Sequence, residues 1–176
     1  MTTLATILVL TVFPILVTYA AISDIRTLRI PNWLNLAIAG SFFPVALIAG
    51  MPLEVMVWHL AAFGAAFALG FTIFALNLFG GGDAKMIPAA AIWLGWGDGG
   101  EYMITFFIMT SLAGGLLAIL SFIWKKVTVE VGVWASEGAG QKMLEKKPDL
   151  PYGVAIAAGA LITYPQTWWS PFILGS

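Results

Sequence analysis

Two short polar stretches interrupt an otherwise apolar chain, and each carries one aspartate. The first is Ser23-Asp24-Ile25-Arg26-Thr27-Leu28-Arg29-Ile30-Pro31-Asn32, and the second is Gly80-Gly81-Gly82-Asp83-Ala84-Lys85. Two carboxylates that share a site do not both ionise easily, so one pKa rises and a proton is shared. Such a pair polarises a water, one member acting as base and the other as acid. It hydrolyses an amide without a metal or a covalent intermediate. Gly80, Gly81 and Gly82 fit this chemistry, because a backbone without Cβ atoms passes close to Asp83 and admits a substrate strand. Each acid also has a plainer reading. Asp83 fits a helix N-cap, and Asp24 fits an exposed ion pair with Arg26 or Arg29.

The elements that must position these acids are apolar. The chain has 176 residues, 60% hydrophobic and 10% charged. A soluble domain carries about 25% charged residues, so the composition indicates one integral membrane domain over 1–176. A span needs about 20 apolar residues. On that measure the fold class is an all-α polytopic membrane protein with about six transmembrane helices. Their expected limits are Leu4–Ile22, Trp33–Gly50, Val55–Phe79, Met86–Trp96, Tyr102–Trp124 and Leu150–Trp169. The first is read as a retained helix and not a cleaved signal, because it lacks a basic start and exceeds the usual ~7–15 apolar residues.

Charge orders these spans. Arg26, Arg29, Lys85, Lys125, Lys126, Lys142, Lys146 and Lys147 all fall in the first, third and fifth connections. The second and fourth connections carry only Glu54, Asp98 and Glu101. Basic residues mark the cytoplasmic side, so both termini are expected outside and both aspartates at the cytoplasmic face. The fourth span is too short to cross a bilayer, about 16 Å at ~1.5 Å per residue. The glycine stretch is therefore expected to dip and border a water-filled pocket, since irregular backbone at depth needs one.

Other residues are given supporting places. Pro31 fixes entry to the second span and Asn32 is placed to cap it. Lys85 reads as a snorkelling anchor. His59 reads as a packed neutral side chain. Trp93, Trp96, Trp168 and Trp169 read as outer interfacial aromatics. Within the cytoplasmic loop 125–149, the alternation from Lys126 to Val133 fits a strand or an interfacial segment, and Gln141 to Lys147 fits an amphipathic helix.

Several classes of function are excluded by composition. With no cysteine there is no thiolate metal site or cysteine nucleophile, and one histidine does not build a zinc site. No metal and no cofactor is expected. A net charge of −1 gives no basis for nucleic-acid binding.

Taken together, Asp24-Ile25-Arg26, Ile30-Pro31-Asn32 and Gly80-Gly81-Gly82-Asp83-Ala84-Lys85 resemble the motifs of the type IV prepilin peptidases. These are membrane aspartic peptidases of the Gly-x-Gly-Asp class. The resemblance implies that Asp24 and Asp83 are catalytic, with Arg26, Pro31, Asn32, Gly80, Gly81, Gly82 and Lys85 supporting them. It implies prepilin or pseudopilin substrates, cut between a basic leader and an apolar helix, at the cytoplasmic face of a bacterial inner membrane. Pro151-Tyr152-Gly153 resembles a Pro-x-Gly-Pro element with Val154 in place of its last proline, which implies a substrate-positioning role for these three residues. With no cysteine and a span at its start, the chain is expected to lack the cysteine-bearing N-terminal domain of bifunctional members. It is therefore similar to the short, peptidase-only form of tight-adherence pilus systems, with no methyltransferase domain. Two other classes fit the same residues: a small proton-coupled transporter with the acids as relays, and a non-catalytic pilus-assembly subunit. The sequence leaves the oligomeric state open.

Overall fold

The computed structural model describes residues 3–76, 80–133 and 150–175, and all regular structure among them is helical. Helices α1 (Thr3–Thr27), α2 (Asn32–Ile48), α3 (Leu53–Ala75), α4 (Gly81–Leu94), α5 (Glu101–Val133) and α6 (Tyr152–Thr163) follow the six apolar segments in order. A short 3-10 turn precedes α5, another follows α6, and α7 (Ser170–Leu174) ends the described chain. Three helical stretches, Thr3–Thr27, Leu53–Ala75 and Asp98–Trp124, are long and apolar enough to cross a membrane. Large apolar side chains such as Ile15, Leu47, Phe71 and Leu116 stand exposed along the helices. A water-soluble bundle would turn such side chains inward, whereas a lipid-facing one need not.

Helix α4 lies at the centre, with α2, α3 and α6 packed around it. Its residues from Met86 to Leu94 are all buried. It has 14 residues, about 21 Å at ~1.5 Å each. Asp83 sits in its first turn.

Lipid supplies no hydrophobic drive between helices, so close approach of small residues holds them together. The buried residues of α3 are His59, Ala62, Ala66 and Gly70, one side of the helix at four- and three-residue steps. A Cβ on Gly70 would stand 2.6 Å from the carbonyl oxygen of Ala84 in α4. That oxygen is backbone and cannot swing aside. Gly70→Ala is therefore expected to lower stability by about 1–3 kcal/mol, read as an earlier unfolding midpoint in detergent. Wild-type stability in that variant would mean that α3 and α4 are not so tightly apposed.

Four expectations are corrected. Trp93 and Trp169 are not interfacial: both are fully buried. The indole of Trp93 donates to the Ile38 carbonyl at 2.7 Å, and that of Trp169 donates to the Trp93 carbonyl at 2.7 Å. With the N–H satisfied, burial of the large ring is favourable, and Phe13 and Phe42 pack on Trp93. Lys126 to Val133 is not a strand, because α5 runs on to Val133. Extending an existing helix costs far less than nucleating a new element, so the β-branched alternation does not decide. The rest of the 125–149 loop, with the amphipathic segment expected at Gln141 to Lys147, lies outside the described residues. The last segment is not one helix to Trp169: α6 ends at Thr163 and a 3-10 turn carries Pro165, whose missing N–H stops the ladder. Asn32 does not cap α2, since Pro31 holds that position without a side-chain cap. His59 is packed as expected. Its Nδ1 lies 2.7 Å from the Ile92 carbonyl, and its ring stacks on Phe42.

Candidate active site

Asp24 closes the inward stripe of α1. The buried residues of that helix are Ala5, Val9, Phe13, Val17, Ala20 and Asp24. Steps of three and four keep them on one face, so the face that packs the core ends in a carboxylate. Asp24 is only 4% exposed, while Arg26 and Arg29 are exposed. A solvated surface ion pair does not describe such a group.

The turn after Asp24 is held by its own hydroxyls. Leu28 takes the left-handed conformation, φ 53, and its N–H donates to the Asp24 carbonyl at 2.8 Å. The Ser23 hydroxyl donates to the Arg29 carbonyl at 2.9 Å. The Thr27 hydroxyl lies 2.8 Å from the Ser23 carbonyl and 3.1 Å from that of Arg29. These contacts fold Arg29 and Ile30 back beside Asp24. A non-glycine residue in the left-handed region is strained, and this one borders the site.

Asp83 arrives from the other side. Gly80 is the N-cap of α4, with no side-chain cap bond, so Asp83 is the third helical residue and not the cap. An acid in a helix's first turn also suits the dipole. A Cβ on Gly82 would meet the backbone nitrogen and Cβ of Ile30 at 3.4 Å. The glycine thus lets the start of α4 lie against the turn after α1.

One cavity of about 760 Å³ runs between these two segments. Its lining includes Ser23, Asp24, Thr27 and Leu28 to Asn32 on one side, and Gly80 to Asp83 on the other. Asp83 lies outside the three long apolar stretches. Its carboxyl is pushed up to about 6, first by burial and then by the negative charge of Asp24. The two acids therefore sense each other across the cavity that both line.

The remaining expected residues are placed variously. Pro31, Asn32 and the three glycines line the cavity, whereas Arg26 and Lys85 do not. Lys85 is not a simple anchor, because its Nζ donates to Asn32 Oδ1 at 2.9 Å and ties the two motifs together. Pro151, Tyr152 and Gly153 are not among the lining residues. The backbone N–H of Gly153 instead donates to Asp24 Oδ2 at 2.7 Å. An N–H only donates, so that oxygen is an acceptor and any proton on Asp24 sits on the other one. Three residues escaped the sequence reading. The hydroxyls of Ser23 and Thr27 flank Asp24 four residues apart, a spacing that could have marked them. Asn35, which donates to the Gly82 carbonyl at 3.3 Å, sits three residues beyond Asn32 on the same helix face.

A family model described as "Type IV leader peptidase family" matches residues 11–119. The match covers both aspartates and most of the chain. The chain belongs to the type IV leader peptidase family, and with it to the proteolytic hydrolases. No curated protein and no solved structure matches it.

Proposed function

We propose that this protein removes the basic leader from type IV prepilins or pseudopilins of the Flp-like kind, at the cytoplasmic face of a bacterial inner membrane. In this reading the chain crosses the membrane six times with both termini outside. Asp24 and Asp83 are the catalytic pair. The observation that carries the reading is that one cavity is lined by both acids, in a chain that is 60% hydrophobic.

Asp83, whose pKa is raised, is assigned the acid, and Asp24, whose Oδ2 accepts from the Gly153 N–H, the base. Asp24 takes a proton from the water as its oxygen attacks the scissile carbonyl carbon. Asp83 gives its proton to the carbonyl oxygen. Collapse of the tetrahedral intermediate breaks the C–N bond: the nitrogen leaves with the proton from Asp24, and the hydroxyl formed from the carbonyl oxygen returns its proton to Asp83 as the new carboxylic acid forms. Neighbouring apolar helices exclude bulk water and strengthen these charge interactions.

The test is direct. Incubated in detergent with a prepilin-type precursor, the protein is expected to make one cut at the junction of leader and apolar segment, read by mass spectrometry. The rate is expected to fall as pH rises through about 6, where Asp83 loses its proton. That apparent value belongs to the pair. An intact precursor at every pH, with the protein folded, would sink the proposal.

A further inference from the structure

We propose that the groove between α2 and α3 seats the first turns of the substrate's apolar helix, with the Asn35 side-chain oxygen as their acceptor. This rests on the peptidase reading above and deepens it.

Helices α2 and α3 are consecutive, yet α3 packs on α4, and α2 on α4 and α1, rather than along each other. They meet at the end far from the aspartates, where the Phe42 and His59 rings stack at 5.1 Å. Toward the aspartates they part around a cavity of about 380 Å³. Its walls are Leu36 and Ala39 on one side and Phe63 and Phe67 on the other, and its floor is Pro88 and Ala89 of α4. Asn32 lines both this groove and the catalytic cavity, so the two adjoin.

One polar side chain in this apolar groove is unexplained. Asn35 lines it and is 5% exposed. Its Nδ2 donates to the Gly82 carbonyl, but its Oδ1 has no partner. Exchanging the two atoms would set oxygen against the Gly82 carbonyl, so the orientation is fixed. A buried acceptor without a donor is costly.

The substrate has the complementary deficit. A helix leaves its first four N–H groups without intrahelical partners, and hydrocarbon offers them none. A peptide cut just ahead of an apolar helix brings those donors beside the catalytic cavity. The Asn35 oxygen, one helical turn beyond Asn32, takes one of them. The same side chain holds the Gly82 carbonyl, so an occupied groove also steadies the residue preceding Asp83. Asn35 is a positioning residue in this account.

The chain has no cysteine, which makes cross-linking clean. In the full-length Asp83→Asn protein, Leu36→Cys and Phe67→Cys are expected to cross-link to a precursor bearing one cysteine in the first turns of its apolar segment. Leu116→Cys on α5 is expected not to, although Leu36, Phe67 and Leu116 are similarly exposed, at 72%, 54% and 58%. In the active protein, Asn35→Leu is expected to raise KM for that precursor about 10-fold, while kcat also falls because the Gly82 carbonyl loses its donor. A leader peptide lacking the apolar segment is expected to show the same fall in kcat with KM unchanged. Equal cross-linking from Leu116→Cys overturns the groove, as does none from either groove position while the precursor is cut. A KM for the precursor that rises no more than that for the short peptide in Asn35→Leu also overturns it. If the wild type cuts neither substrate, the peptidase reading fails and the groove assignment falls with it. Cross-linking reports even if Asn35→Leu does not fold.

Discussion

Asp83→Asn is expected to abolish cleavage and, at neutral pH, to make the protein more stable. The two effects have one cause. The folded protein holds Asp83 partly buried and facing the charge of Asp24, which pushes it from the ordinary 3.8 up to about 6. Between those values the folded state binds more protons than the unfolded one, so stability falls as pH rises through that window and stays lower above it. An amide never ionises and escapes the penalty, which is about 3 kcal/mol at pH 7 at full strength and smaller here because solvent screens a partly buried carboxyl. Below about pH 4 both states are protonated and the advantage disappears. Activity moves the other way. A positioned acid or base contributes about 10²–10⁴-fold, and neither half of a proton-sharing pair works alone. Asp24→Asn is expected to cost the same activity. Unfolding midpoints in detergent at pH 4 and pH 7, beside cleavage rates, check the claim. A variant retaining a tenth of wild-type cleavage would remove that aspartate from the catalytic pair. Lower stability at both pH values would give Asp83 an ordinary structural role.

The arrangement of helices was legible where lipid exposure decides it. Apolar runs set the order of six helices, and the brevity of the fourth was visible from Met86 to Trp96. Asp24 could be placed at a helix end, and its position on the stripe from Ala5 to Ala20 explains why it faces inward. What the sequence obscured has physical causes too. An indole at a bilayer edge and one in a core have the same composition nearby. Only the carbonyls that meet Trp93 and Trp169 separate the two cases, and these come from other helices. The valines after Lys126 favour a strand locally, but they continue a helix already under way. Asn35 looked like one polar residue in an apolar span, because its Gly82 partner lies 47 residues further on.

Gly153→Ala is expected to cut the cleavage rate about 100-fold, the cost of misplacing a reacting group by ~1 Å. A Cβ there would stand 2.8 Å from Asp24 Oδ2, 3.0 Å from Asp24 Cγ and 2.7 Å from Ile30 Cδ1. The Ile30 methyl ends a flexible side chain and can rotate away. The carboxylate is less free, because it is buried and already bonded to the N–H of that same glycine. Either Asp24 turns out of line with Asp83, or α6 backs away and the hydrogen bond lengthens. Both outcomes disturb the base and leave the groove between α2 and α3 untouched. The loss should therefore fall on kcat, with KM for the precursor little changed. That split separates positioning of Asp24 from the substrate contact implied by the Pro151-Tyr152-Gly153 resemblance, which would raise KM. Gly153 lies beyond the residues that match the family model, so its part in the site rests on this contact alone. Wild-type kcat in a folded Gly153→Ala protein would show that Asp24 needs no support from α6.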